Sequence, residues 1–232
     1  MANMNDRIRV WDIPVRLFHW ALVILMATSY FTAQAGGDYW MKLHFWSGYA
    51  ILTLLLFRIA WGFVGSTTAR FSHFVKGPSA AFHHLAELAG TDRPRDVGHN
   101  PLGGAMVMVL IFGVLAQVAA GLFAADTDTG MINGPLAPLV ANKWIERATA
   151  FHHFWINVLL ILVGVHVLAA ILYLVWKRQN LIGAMITGRK RIDDCYAPGQ
   201  PVPKLQFASG RLAISLLIAC AAIVYFIVRL GG

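Results

Sequence analysis

Five apolar runs dominate the chain, over about Val15–Ala35, Met41–Phe63, Leu102–Ala125, Phe151–Trp176 and Leu212–Leu230. Each approaches or exceeds the roughly 20 residues that an α-helix needs to cross a hydrocarbon core. None alternates polar and apolar positions as a membrane β-strand does, and in lipid only helices and closed barrels satisfy the backbone. The pattern predicts an all-α integral membrane protein with five spanning helices and no internal repeat.

The segments between the runs are uneven. Val64–Pro101 carries the breakers Gly77-Pro78 and Arg93-Pro94, and its middle, Ser79–Ala89, fits a short interfacial helix. Asp126–Ala150 contains Gly130, Asn133-Gly134-Pro135 and Pro138, which mark turns, and Trp144, which suits an aromatic belt. Ile192–Gly210, with Pro198, Pro201 and Pro203, reads as an irregular linker.

Composition agrees with this class. Hydrophobic residues make up 58% of the chain and charged residues 13%, with a mean hydropathy of +0.61. Soluble domains carry about 25% charged residues. The charges also orient the chain. Lys42, Lys143, Arg147 and Arg229 fall on one side of the spans, and fifteen of the 19 Lys and Arg fall on the other. The positive-inside rule then predicts a cytoplasmic N-terminus and a periplasmic C-terminus. The net charge of +8 follows from that bias and needs no nucleic acid.

The beginning of the chain also resembles a signal peptide, with Arg7 and Arg9, an apolar run, and Ala33-Gln34-Ala35 before Gly36. His19 lies inside that run and favours a retained first span. The two cysteines, Cys195 and Cys220, lie in a polar segment and in the fifth span, so no disulfide is expected. No Cys-x-x-Cys-His occurs, which excludes covalent c-type haem attachment here.

Histidine carries the chemistry. An imidazole inside a membrane is costly and needs a partner. His152 and His166 stand 14 residues apart in the fourth span. A helix brings such residues within roughly 40° of the same face and about 21 Å apart along the axis, most of a hydrocarbon core. His19 stands near the cytoplasmic end of the first span and His44 near the outer end of the second. By depth, His19 pairs with His166 and His44 with His152. Each pair would supply two axial nitrogens to one haem iron, a ligation that suits electron transfer because it leaves no open position. His153 competes with His152, but its spacing to His166 turns the two rings roughly 140° apart; a propionate contact or a quinone site is its other reading. His73, His83, His84 and His99 lie in the cytoplasmic connection, where solvated histidine is the simpler expectation.

Arg58, 14 residues beyond His44, shares its face and either clamps a haem propionate or snorkels to the interface. Arg16, three residues before His19, is a weaker candidate of the same kind. Gly48, four residues after His44, would let a porphyrin edge approach or serve packing, and Gly164 has the same two readings. A histidine-based metal transporter or di-iron enzyme fits less well, because carboxylates are scarce in the spans and the histidines split into two levels.

Val10-Trp11-Asp12-Ile13-Pro14-Val15-Arg16-Leu17-Phe18-His19-Trp20 resembles the entry to the first helix of bacterial cytochrome b561 and Ni,Fe-hydrogenase-type b cytochromes. Asp12 suits the cap of that helix and Pro14 its first turn. Lys42-Leu43-His44 and Arg58-Ile59-Ala60-Trp61-Gly62 resemble the second helix of that family, and the run from His152-His153 to His166 its fourth. The resemblance spans about residues 8–180. It implies a four-helix bundle holding two haems b through His19, His44, His152 and His166, and exchanging electrons with quinone. The fifth span is additional. The expected division is a di-haem bundle over 1–180, a cytoplasmic linker over 181–210 and an extra C-terminal transmembrane helix over 211–232.

Two functions follow from the resemblance. One is a conduit in the bacterial inner membrane between the quinone pool and a periplasmic c-type cytochrome or dehydrogenase. The other is a self-contained superoxide:quinone oxidoreductase, which would favour cations at its outer face. There Lys42, Lys143 and Arg147 are offset by Asp38, Asp126, Asp128 and Glu146.

Overall fold

The computed structural model describes residues 6–88, 95–126, 132–197, 199–202 and 204–231. The five apolar runs become α1 (Ile13–Ala35), α2 (Gly37–Val64), α5 (Pro101–Phe123), α6 (Asn142–Val175) and α8 (Gly210–Arg229). All five are long and apolar enough to cross a membrane, so the protein is a multi-pass all-α membrane protein. Shorter helices α3 (Phe71–Phe74), α4 (Pro78–Leu88) and α7 (Leu181–Thr187) lie between them.

The sequence places the start of α1 through its cap. Asp12 is 1% exposed, and its Oδ1 accepts a hydrogen bond of 2.8 Å from the backbone N–H of Val15. Its Oδ2 accepts another of 2.9 Å from the indole Nε1 of Trp61. One carboxylate thus satisfies a helix terminus and a buried donor from α2. The expected short helix between the second and third spans is present as α4. The sharpest difference lies before the fourth span. α6 begins at Asn142 rather than near Phe151, because Asn142–Ala150 has no breaker, and helix once started continues cheaply.

The chain packs as two compact units, each assembled from three segments. The first comprises residues 1–17, 59–109 and 163–213. It holds a small antiparallel sheet of β1 (Arg7–Arg9) and β2 (Arg189–Arg191), paired Arg7 to Arg191, Ile8 to Lys190 and Arg9 to Arg189. Neither strand carries enough apolar alternation to be read from sequence. Its core includes Val10, Trp61 and Phe74. Gly188 caps α7 at a φ of 79°, in the left-handed region that glycine adopts without strain, and its carbonyl accepts from the N–H groups of Val10 and Trp11.

The second unit comprises residues 18–58, 110–162 and 214–232. Its core gathers Leu52, Leu122, Leu136 and Val224, with Leu115 and Ile227 against them. Val224 brings α8 into this core, so the fifth span is an integral part of the packing. Its other face, with Ile214, Ile218 and Phe226 exposed, is left for lipid.

Candidate functional site

The second unit brings two of the sequence-predicted histidines together. The rings of His44 on α2 and His152 on α6 lie with centroids 6.1 Å apart and planes at 87°. Each ring is held by its Nδ1. That of His44 lies 2.8 Å from the backbone carbonyl of Ser29 on α1. That of His152 lies 2.9 Å from the backbone carbonyl of Gln117 on α5. A carbonyl oxygen only accepts, so Nδ1 carries the proton in both rings and donates it. In the neutral ring Nε2 is then the nitrogen with a lone pair to offer to a metal.

The ring spacing fits one metal between two imidazoles. Two metal–nitrogen bonds of about 2 Å, with ~1.1 Å from each nitrogen to its ring centre, give a separation of about 6 Å. Helix α5 admits His152 through glycine. A Cβ on Gly121 would lie 2.8 Å from His152 Cε1 and 3.1 Å from its Nδ1. Four residues earlier, Gln117 donates from Nε2 to the carbonyl of His152 at 3.0 Å. Four before that, the carbonyl of Gly113 accepts from Trp155 Nε1 at 2.8 Å. Gly113, Gln117 and Gly121 therefore form one face of α5 that holds α6 close.

The other sequence-predicted residues are placed as follows. His153 is exposed, with its ring 6.3 Å from that of His152. His19, half-buried on α1, belongs to the second unit, and His166, half-buried on α6, to the first. Arg58 is only 3% exposed, which argues against snorkelling, since that posture keeps the charged head in water. Arg16 is half-buried, and its Nη1 donates at 3.4 Å to the carbonyl of Thr187 at the end of α7. A Cβ on Gly48 or on Gly164 would meet nothing within 4 Å, so neither position is a close helix contact, and Gly48 leaves open space one turn from His44. Among the described residues, no three His, Cys, Asp or Glu converge as a metal cluster would require.

The expectation that all four connection histidines are solvated needs correction. His83 is exposed, but His84, one residue on, is 5% exposed and pairs through Nε2 with the hydroxyl of Tyr173 at 2.9 Å. Asn100 Nδ2 donates to the same hydroxyl at 2.6 Å. Helix α4 turns His84 inward and His83 outward, a separation of adjacent positions that helical geometry imposes. His99 packs edge-on against Trp11, with centroids 4.7 Å apart. His73 is half-buried, and its pKa is lowered first by burial and then by Lys76 and Arg70.

Sequence reasoning missed Ser29, Gln117 and Gly121. A signal was present for Gln117, an amide alone in a very apolar span, where a polar group needs a partner. Ser29 meets the His44 Nδ1 with its main-chain carbonyl at 2.8 Å and with its hydroxyl at 3.2 Å, and a lone serine in an apolar span is a weak signal of either.

Comparison with known proteins gives the family. Residues 10–188 match the family model described as prokaryotic cytochrome b561. The chain belongs to the prokaryotic cytochrome b561 family. Its similar relatives include a probable Ni/Fe-hydrogenase B-type cytochrome subunit of Rhizobium leguminosarum bv. viciae, 26% identical over 83% of this chain and 92% of the relative. A protein of the same description from Azotobacter vinelandii is 28% identical over 83% of this chain and 92% of its own length. The probable Ni/Fe-hydrogenase 1 B-type cytochrome subunit of Escherichia coli (strain K12) is 26% identical over 77% and 88%. No solved structure matches. The family match takes in α1, α2, α5 and α6 and ends at Gly188, so α8 lies outside it.

Proposed function

We propose that this cytochrome b561 family member is a di-haem b-type cytochrome of the bacterial inner membrane. It passes electrons between the quinone pool and a redox partner on the periplasmic side. A bound haem supplies a reversible one-electron couple. The residues do the rest. His44 and His152 hold one iron through their Nε2 atoms, with Ser29 and Gln117 fixing the tautomer of each. His19 and His166 hold the second, a pairing that rests on helical spacing. Two imidazoles on each iron would leave no position for oxygen, which suits a relay. Arg58, with Arg16 as the weaker candidate, gives a fixed positive charge for acidic groups of the cofactor. His153 is exposed beside His152 and is the residue to examine for contact with a propionate or with quinone.

The observation that carries the proposal is the 6.1 Å spacing of the His44 and His152 rings, each with Nδ1 committed to a carbonyl. The charge bias of the connecting segments supports a cytoplasmic N-terminus and a periplasmic C-terminus. The partner is a dehydrogenase or a c-type cytochrome. The description of the chain's relatives as probable Ni/Fe-hydrogenase B-type cytochrome subunits supports a Ni/Fe-hydrogenase first among these.

A reduced-minus-oxidised optical spectrum of the purified protein, with extracted haem counted per chain, tests the proposal. Two haems b per chain with low-spin bands are expected. A folded sample without haem overturns it, and a single haem overturns the second pairing.

A further inference from the structure

The small sheet in the first unit opposes like charges. In its antiparallel register Arg7 faces Arg191 and Arg9 faces Arg189. Residues two apart in a strand share a face, so all four guanidinium groups stand on one side, and all four are exposed. Like charges directly across a ladder are destabilising. The opposite face anchors the sheet. Lys190 is 6% exposed and donates from Nζ to the carbonyl of Asp96 at 2.9 Å, and Ile8 is half-buried beside it.

The position of this face is fixed by two membrane helices. Arg9 stands four residues before Ile13, where α1 begins, and four residues reach at most about 14 Å. Its guanidinium lies over the ring of Phe207, 4.3 Å from the centroid, three residues before α8 begins at Gly210. The arginine face therefore sits where two spans meet the headgroup layer. Acidic neighbours are Asp6, Asp193 and Asp194. Asp193 engages Arg191 through bonds of 3.0 and 2.5 Å. Arg7, Arg9 and Arg189 make up the rest of the face.

We propose that this face binds the phosphates of anionic phospholipid headgroups, with Arg7, Arg9 and Arg189 as the binding residues. Charge complementarity selects the ligand. An anion seated between the cross-strand pairs converts their repulsion into shared attraction, and guanidinium presents paired donors to phosphate. The occupant is a lipid rather than a free anion because the face lies at the level of the bilayer surface and is open on its solvent side.

The test uses the full chain reconstituted in vesicles of equal phosphatidylglycerol and phosphatidylcholine, followed by native mass spectrometry of the retained lipid. The wild type is expected to retain phosphatidylglycerol preferentially. The triple variant R7Q/R9Q/R189Q should lose roughly 100-fold of that preference, since each arginine near an anionic surface contributes about five-fold. R7K/R9K/R189K should keep most of it, and K143Q/R147Q all of it. If the triple variant aggregates, single R7Q and R189Q variants should each lose about five-fold. An unchanged preference in the glutamine variants overturns the proposal. So does displacement of the lipid by inorganic phosphate beyond that by chloride at equal ionic strength, which would assign the face to a free anion. Binding of polyglutamate without any lipid preference would overturn it in favour of an acidic protein.

Discussion

Gln117 holds His152 from both directions. Its main-chain carbonyl accepts from the imidazole Nδ1 at 2.9 Å, and its side-chain Nε2 donates to the main-chain carbonyl of His152 at 3.0 Å. The two bonds differ in what a substitution can remove. Gln117→Leu deletes the amide bond but keeps the carbonyl that fixes the tautomer. A thermal melt should show a loss of about 0.6 kcal/mol, typical of a side-chain hydrogen bond between membrane helices. The optical spectrum of the haem-loaded protein should be unchanged.

Gly121 is a different case. A Cβ there comes within 2.8 Å of the His152 ring, so the imidazole must shift. Gly121→Val should remove most of the haem assigned to His44 and His152 and leave the second low-spin component in place. Haem counting on the purified variant checks this. Full occupancy would mean that the ring moves without losing its ligand role.

The ligand pairing has its own test. His44→Ala and His152→Ala should each abolish the same spectral component, and His19→Ala and His166→Ala the other. Potentiometric titration of the four variants separates the components. If His19→Ala and His44→Ala remove the same one, the assignment by depth is wrong.

Asp12 predicts a stability effect remote from the histidines. Asp12→Ala removes an N-cap, worth about 0.5–2 kcal/mol. It also leaves the Trp61 N–H buried without its acceptor, at a further cost of about 1–3 kcal/mol. Asp12→Asn keeps one acceptor oxygen, enough for one of the two donors, while its amide nitrogen can accept from neither, so it should lose less than Ala but more than nothing. Thermal unfolding followed by circular dichroism should rank wild type, Asn and Ala in that order.

Cys195 gives a pH dependence. Burial pushes its thiol up to about 11, with Lys190 opposing the shift and Asp194, Asp193 and Asp96 adding to it. The folded state therefore favours the neutral thiol. This contribution to stability is complete below the unfolded thiol value of 9.0 and is lost as pH rises towards 11. At about pH 8 Cys195 should resist iodoacetamide in the folded protein and react after denaturation, because only the thiolate attacks. Cys195→Ala should reduce the loss of stability between pH 9 and 11, measured by melting temperature.

Much of the protein was legible along the chain. Five apolar runs dictated five spanning helices, because in lipid a chain of that composition must bond its own backbone. Asp12 and Pro14 marked the start of α1, and the depths of His44 and His152 brought the two together on paper before the fold did. These features follow from period, length and charge, which are local properties of sequence. The contacts that hold the two rings were not legible. The shortest contacts from Ser29 and Gln117 to the rings come from main-chain carbonyls that every residue carries, and Gly121 matters only because another helix passes against it. His83 and His84 are identical in type and adjacent in sequence, yet only packing decides that one faces outward and the other reaches Tyr173. The arginine sheet is of the same kind. Arg7–Arg9 and Arg189–Arg191 are far apart in the chain and carry no strand signal, so their pairing exists only once the helices between them have folded. Sequence periodicity sets which groups each element presents, and tertiary packing sets which of those groups meet.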